Sequence, residues 1–258
     1  EGLIHPDELQ PLHELPKNHV DYGALYQTFW PIIRQAYNRF KRSGADHFNG
    51  YGSIKTFRKS QSAWIEDFAL FLALKSHFGG NSWLDWPANY RDVHQARRQK
   101  LSIEVTEAAE AHIFYQYLFY GQLAKLRSYA GSKGVSILGD APIFVALDSS
   151  DVWANRELFQ LSKDGKPSAV AGVPPDYFAA TGQLWGTPVY RWALHRLTRF
   201  RWWVRRLQRQ LELYDLLRLD HFRALDAAWL VPGTDPTAEH GVWHRSPGRA
   251  LLERLRRH

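Results

Sequence analysis

The sequence predicts an α/β fold, and three features of its residue pattern support that class. Helical periodicity dominates the stretch from Tyr22 to about Ala130. Two short apolar segments, Val135–Asp140 and Leu216–Asp220, are each typical of a buried strand that ends in a carboxylate. An arginine-rich segment with helical periodicity separates the two segments. A strand, a helix and a strand in that order make a βαβ unit, whose two strands should be parallel.

The first 130 residues predict a mainly helical region with an extended lead-in. Pro6, Pro11 and Pro16 break any regular element in the first 20 residues. Apolar residues at steps of three and four then predict three helices, which cover about 25–40, 63–78 and 107–130. Pro31 must begin or kink the first of these helices, and Gly79-Gly80 should end the second.

The arginine-rich segment that follows residue 195 predicts a helix with one buried stripe. The apolar residues of that stripe are Leu197, Phe200, Val204, Leu207, Leu211 and Tyr214. The arginines of the segment fall on the opposite face, where a solvated surface is the simplest interpretation. The net charge of +7 is therefore a weak argument for nucleic-acid binding, which we keep as a remote alternative.

The stretch 141–193 lacks sustained helical or strand periodicity. A structureless stretch of this length inside a compact domain usually has a function. Segments 172–178 and 181–186 combine turn-forming residues with three large aromatic side chains and polar groups. That mixture suits a lid that stacks on a sugar ring and hydrogen-bonds its hydroxyl groups. The alternative is an Ω-loop packed by its own side chains.

Two charged residues at the end of the second predicted strand suggest a catalytic carboxylate. Arg218 and Asp220 are two residues apart on that strand, so their side chains share a face. A guanidinium beside the carboxylate would hold it ionised, and an ionised aspartate can attack an anomeric carbon. The alternative is a structural ion pair at the strand end. Asp140 ends the first predicted strand and should lie at the same edge, where ligands bind in such folds.

Four uncommon motifs run through the second half of the chain. They are LGDAPIFV at 138–145, DVWAN at 151–155, the stretch 172–192, and RLDHFR at 218–223. In their order and spacing they resemble the amylomaltase or disproportionating-enzyme family, the 4-α-glucanotransferases. The resemblance implies a (β/α)₈ TIM-type barrel with helical insertions at its mouth, of which this chain covers part. It also implies transfer of α-1,4-glucan segments between malto-oligosaccharides with retention, through a covalent glycosyl-aspartate intermediate.

Residue by residue, the resemblance implies roles for eight side chains. Asp220 would be the nucleophile, and Arg218 would be the arginine that holds it ionised. Asp140 would be a sugar-binding carboxylate at the end of an earlier strand. The acceptor-side lid would comprise Asp176, Tyr177, Phe178, Gln183 and Trp185. We therefore expect Asp220 to face a sugar-binding hollow beside the proline-rich lid.

The same resemblance implies glucan partners, namely malto-oligosaccharides and glucans derived from starch or glycogen. It implies no cofactor and no nucleic-acid or membrane partner, and it suggests a cytoplasmic protein. The absence of cysteine permits a reducing compartment. His240 and His244 are four residues apart, but a loop around Gly241 and the lack of an evident third ligand argue against a metal site.

The family's acid/base glutamate follows Asp220 in the family pattern, beyond the part that this chain covers, and the family's N-terminal strand region precedes Glu1. We therefore expect residues 1–130 to form a lead-in and an inserted helical subdomain. Residues 131–258 should form a central barrel segment that carries the lid at 141–193. Retaining transfer needs a second carboxyl group roughly 5 Å from the nucleophile, so we expect this chain alone to be inactive. The alternative function is glucan binding without turnover.

Overall fold

The computed structural model describes residues 1–257, which form a mixed α/β structure. The helices are α1 (Gln10–His13), α2 (Tyr22–Ser43), α3 (Ile54–Ser60), α4 (Ile65–His77), α5 (Ala88–Arg91), α6 (Val93–Ala96), α7 (Ile103–Ser132), α8 (Ser150–Ala154), α9 (Trp192–Leu197), α10 (Arg201–Leu213) and α11 (Gly248–Leu255). The strands are β1 (His47–Phe48), β2 (Gly52–Ser53), β3 (Leu138–Ala141), β4 (Ala169–Val173), β5 (Gln183–Pro188), β6 (Leu216–Leu219), β7 (Ala227–Pro232) and β8 (Val242–Arg245). None of these described helices is long and apolar enough to cross a lipid bilayer.

The chain divides into two compact units. The first comprises Glu1–Ala73 and Leu101–Ala124, and the second comprises Leu74–Lys100 and Lys125–His258. The expected boundary near residue 130 differs from this division, because the segment 74–100 packs within the second unit. There the indole nitrogen of Trp83 donates to the carbonyl oxygen of Leu147 at 2.8 Å. Large buried aromatic side chains thus tie this helical segment to the strand-containing part of the chain.

The first unit is mainly helical, as its periodicity predicts. Asp21 caps α2 by accepting a hydrogen bond from the backbone N–H of Ala24 at 2.9 Å. Gly44 ends α2 in the left-handed conformation that glycine adopts without strain. Pro31 lies inside α2 and does not begin it. The buried core joins α2 to α7, where the rings of Phe40 and Phe114 are 4.8 Å apart.

The second unit contains the predicted βαβ arrangement. Strands β3 and β6 pair in parallel, and α10 lies between them in the chain. The prediction of parallel strands is therefore confirmed, although β3 begins at Leu138 and not at Val135. The ring of Tyr214 packs directly against Gly139. Glycine is required at this position, because a Cβ there would lie 2.2 Å from the tyrosine ring.

The arginine-rich helix begins later than the sequence predicts. Arg199 and Phe200 have φ angles of 53° and 55°, and this left-handed turn separates α9 from α10. Phe200, Val204 and Leu207 are buried as expected. Leu197 and Leu211 are exposed, so their assignment to the buried stripe was wrong. The turn takes Leu197 out of the helical register of the stripe, and Leu213 is the residue buried at the far end of α10.

The stretch 141–193 is more regular than its sequence predicts. It contains α8, the first residues of α9, and strands β4 and β5. The two strands form one side of a four-stranded antiparallel sheet, whose strand order is β5–β4–β7–β8. The strands escaped prediction because β4 consists of alanine, valine and glycine, while β5 includes Gly186 and Pro188. Gly172 is required within β4, because a Cβ there would lie 2.4 Å from the carbonyl oxygen of Gln183.

Candidate active site

The ends of the two parallel strands place three charged residues side by side. Asp140 on β3 is the register partner of Arg218 on β6, and Asp220 follows β6 directly. The backbone N–H of Asp220 donates to the carbonyl oxygen of Ala141 at 3.0 Å, which extends the pairing to this residue. The position of each charged side chain therefore follows from the strand register and not from a flexible loop.

Arg218 bridges the two carboxylates. Its Nη2 lies 2.5 Å from Oδ2 of Asp140, and its Nε donates to Oδ1 of the same carboxylate at 3.1 Å. The same Nη2 lies 3.3 Å from Oδ1 of Asp220. The two-point contact with Asp140 is the fork geometry that suits a guanidinium and a carboxylate. Sequence reasoning paired Arg218 with Asp220, whereas the structure gives it Asp140 as the closer partner.

The guanidinium of Arg218 stabilises the ionised form of Asp140. The hydrogen bonds from Arg218 hold the pKa of Asp140 below its usual value, and the same contact raises the pKa of Arg218. Asp140 is therefore ionised at neutral pH and can only accept hydrogen bonds. Such a carboxylate can hold sugar hydroxyl groups, but it has no proton to give to a leaving oxygen.

The three charged side chains are open to solvent in the described part of the chain. The exposed fractions are 54% for Asp140, 59% for Arg218 and 57% for Asp220. Asp220 is therefore accessible to a ligand within residues 1–257, and the sugar-binding hollow that we expect it to face stays a prediction. An ion pair this exposed contributes little to stability, so its geometry matters here for chemistry more than for folding.

An aromatic wall lies next to Asp220. The ring of Trp185 is 4.8 Å from the imidazole of His221 and nearly perpendicular to it. Phe144 lies 6.3 Å from Trp185 and stacks on Tyr190, whose hydroxyl donates to the carbonyl oxygen of Ile143. These contacts fix flat apolar surfaces beside the charged cluster, as binding of a sugar ring requires.

Gln183 orients Trp185. Its Oε1 accepts a hydrogen bond from the indole nitrogen of Trp185 at 3.1 Å. Both residues lie on β5, two positions apart, so their side chains share one face of the sheet. Trp185 therefore lies near Asp220, because its ring contacts His221, the residue that follows Asp220. Gln183 lies beside Trp185, to which it is hydrogen-bonded.

Sequence reasoning assigned no role to His221, although it lies in the RLDHFR motif. Its φ of 49° is unusual for a residue other than glycine, and its Nε2 is buried without a hydrogen-bond partner among residues 1–257. Burial lowers the pKa of its imidazole. The sequence signal for His221 was its position next to Asp220. Phe144 of the aromatic wall lies within the LGDAPIFV motif at 138–145.

Asp176, Tyr177 and Phe178 form the turn between β4 and β5. Oδ1 of Asp176 accepts hydrogen bonds from the backbone N–H groups of Phe178 and Ala179 at 2.9 and 2.8 Å. Tyr177 is 97% exposed and Phe178 is 93% exposed, so their rings extend into solvent. Among the described residues, the turn is ordered by its own aspartate, and it is not folded onto the charged cluster.

The comparisons with known proteins agree over nearly the whole chain. A family model described as 4-alpha-glucanotransferase matches residues 2–258. The 4-alpha-glucanotransferase of Thermus thermophilus is 42% identical over 240 residues, which cover 93% of this chain and 48% of that protein. The enzyme of the same name from Aquifex aeolicus is 38% identical over 98% of this chain and 52% of its own length.

A solved structure is similar as well. The amylomaltase from Streptococcus agalactiae, in complex with acarbose, has a TM-score of 0.87 and 35% sequence identity, covering 99% of this chain and 51% of that one. The chain thus spans about half the length of the relatives it matches. On the family match and these identities, the chain belongs to the 4-α-glucanotransferase family.

Proposed function

We propose that this chain carries the nucleophile and part of the binding surface of a retaining 4-α-glucanotransferase site. The observation that carries the proposal is the bridging of Asp140 and Asp220 by Arg218 at the carboxyl ends of two parallel strands. Family membership supports the reaction class, which is transfer of glucan segments. The substrates would be malto-oligosaccharides and glucans derived from starch or glycogen.

In this proposal, Asp220 attacks the anomeric carbon of the donor glucan. The glycosidic bond breaks as a glycosyl-aspartate ester forms, and a separate acid protonates the leaving oxygen. An acceptor hydroxyl then attacks the ester, loses its proton to the same group and regenerates the carboxylate of Asp220. Arg218 would keep positive charge beside the attacking oxygen, while Asp140 would accept hydrogen bonds from sugar hydroxyls.

The acid in this reaction cannot be Asp140, because Arg218 lowers its pKa and keeps it ionised. Retaining transfer therefore needs another carboxyl group near Asp220, and in the family resemblance that group is a glutamate outside this chain. We propose that the 258-residue chain alone does not turn over. A chain extended to the length of its relatives should convert maltotriose to glucose and longer maltodextrins, and glucose release by the isolated chain would contradict this account.

The exposed apolar residues of the parallel strands support a larger sheet. Leu138 on β3 is 62% exposed and Leu216 on β6 is 58% exposed. Parallel sheets are normally covered on both faces, so such residues should be packed against further elements. We propose that β3 and β6 belong to a (β/α)₈ barrel with helical insertions at its mouth. The cytoplasm is our proposed location, which the family resemblance suggests and the cysteine-free composition permits.

We also propose that the β4–β5 turn is the acceptor-side lid, with Asp176, Tyr177 and Phe178 at its tip. The exposed aromatic rings at the tip support this role, since a surface that stacks on sugar must be accessible. Gln183 and Trp185 would form the fixed part of the same surface. The second candidate function, glucan binding without turnover, is favoured by the ionised state of Asp140, because this carboxylate beside Arg218 has no proton to donate to a leaving oxygen.

Replacing Trp185 by alanine in the extended chain should weaken acceptor use. A base stacked on an aromatic side chain gains about 1–3 kcal/mol, and we expect a comparable loss when the sugar loses its stacking partner. The measurement is the acceptor dependence of transfer from a fixed donor. Trp243→Ala is the matched control, because this tryptophan is also partly exposed and lies on β8 of the same sheet. Equal acceptor kinetics for the two variants would remove Trp185 from the acceptor surface.

A further inference from the structure

The first unit contains a cleft that the proposed active site does not use. It has a volume of about 270 Å³ and lies between helix α3, helix α7 and the segment 50–53, which includes strand β2. The lining residues that matter here are Tyr51, Thr56, Phe57, Ser60, Gln61 and Tyr120. The volume is close to the lower end of the roughly 300–1,000 Å³ range of ligand pockets, so a short ligand segment would fit.

The aromatic wall of this cleft is preformed. The rings of Phe57 and Tyr120 meet edge to face at 5.1 Å, and Tyr120 lies nearly parallel to Trp64 at 6.4 Å. Gly121 allows the ring of Tyr51 to lie directly against α7, because a Cβ at that position would be 2.3 Å from the ring. These contacts hold the aromatic surfaces in place before any ligand arrives, which lowers the entropy cost of binding.

The polar groups of the cleft are neutral. Ser60 donates its hydroxyl hydrogen to the carbonyl oxygen of Phe57 at 2.8 Å, so its oxygen can still accept hydrogen bonds from a ligand. The hydroxyl groups of Thr56 and Ser53 are 2.9 Å apart and share one hydrogen bond. Gln61 accepts from the indole nitrogen of Trp64 at 2.7 Å, which fixes its amide at the wall.

No charged side chain lines the cleft among residues 1–257. An anionic or cationic ligand would therefore lose its hydration without gaining a counter-charge there. Aromatic faces combined with hydroxyl and amide groups suit a neutral ring that is apolar on its faces and polar at its rim. A pyranose has that chemistry.

We propose that this cleft is a second carbohydrate site, which binds one end or a short segment of an α-1,4-glucan. The choice of an α-1,4-glucan rests on the proposed function, whereas the preference for a neutral sugar rests on the cleft itself. The cleft belongs to the first unit and Asp220 belongs to the second, so the two sites are tested by separate substitutions.

The test is calorimetric titration of maltotriose into the 258-residue chain with Trp185→Ala, a substitution that should weaken sugar binding near Asp220. Ser60→Tyr, added to that variant, places a ring in the cleft from an exposed position on α3 and should lower the association constant at least tenfold. Lys59→Tyr is the matched control, because Lys59 is the exposed neighbour on the same helix and does not line the cleft. Binding should change less than twofold in this control.

Equal affinity for Ser60→Tyr and Lys59→Tyr, or no maltotriose binding in the Trp185→Ala chain, would overturn the proposal. If circular dichroism shows that Ser60→Tyr does not fold, Thr56→Val replaces it. That variant replaces a hydroxyl group by a methyl group of similar size and should weaken binding about three- to tenfold, the size expected for one hydrogen bond. Unchanged binding would then overturn the proposal. None of these measurements involves turnover, so a failure here leaves the proposed glucan transfer untouched. Conversely, failure of the unsubstituted extended chain to transfer glucan, with intact maltotriose binding in the cleft, counts against the proposed function alone.

Discussion

Replacing Asp220 by asparagine in a chain extended to the length of its relatives should abolish glucan transfer while glucan binding largely survives. The amide has no negative charge to attack the anomeric carbon, so no glycosyl ester can form. Removal of a catalytic nucleophile typically lowers kcat by on the order of 10⁴-fold or more. The measurement is the rate of glucose release from maltotriose, together with maltotriose affinity determined by calorimetry.

Asp226→Asn is the matched control for this substitution. Asp226 is also an exposed aspartate in an ion pair, since its Oδ1 accepts from Arg245 at 3.0 Å, and it follows Asp220 closely in the chain. Its replacement should leave transfer within about twofold, the range expected of a surface ion pair with little energetic weight. A transfer rate in Asp220→Asn close to that of Asp226→Asn would remove Asp220 from the role of nucleophile.

The substitution Arg218→Ala should have the second-largest effect. It removes a cation that contacts both carboxylates, so the repulsion between the two negative charges is no longer offset by that guanidinium. We expect transfer to fall on the order of 10²-fold, by analogy with the loss of one charge-stabilising donor from an active site. The acid limb of the pH–activity profile should also move to higher pH, because Asp140, whose pKa is lowered by Arg218, becomes easier to protonate without the guanidinium.

Arg218→Lys separates charge from geometry. Lysine keeps the positive charge but cannot make the two-point contact that Arg218 makes with Asp140. This variant should therefore retain the acid limb near its original position while recovering only part of the rate. An unshifted acid limb in Arg218→Ala would show that the cation does not lower the pKa of Asp140 during transfer.

The elements that sequence reasoning predicted well are those with a strong local pattern. Helices α2, α4 and α7 follow from apolar residues at helical spacing, and the parallel pairing of β3 and β6 follows from the helix between them. The strand ends located Asp140 and Asp220 at one edge, because parallel strands end on the same side. Local pattern and topology thus sufficed to place the carboxylates near each other.

The details that sequence reasoning missed depend on contacts distant in sequence. The pairing of Arg218 with Asp140 follows from the strand register, which a single sequence does not specify. The β4 and β5 strands are stabilised by their sheet neighbours, and their own alanine, glycine and proline residues oppose a strand prediction. The aromatic wall includes Phe144, Trp185 and His221, which come from three separate segments of the chain. No local sequence pattern therefore predicts that these rings meet.

The central claim, that Asp220 forms a covalent bond with glucan, can be tested directly by trapping the intermediate. The extended chain is incubated with 5-fluoro-α-glucosyl fluoride, which forms a glycosyl ester quickly and loses it slowly. The labelled protein is then digested and its peptides are sequenced by mass spectrometry. The account predicts one glycosyl group on Asp220 and none in the Asp220→Asn variant. A glycosyl group on any other residue, with Asp220 unmodified, would contradict it.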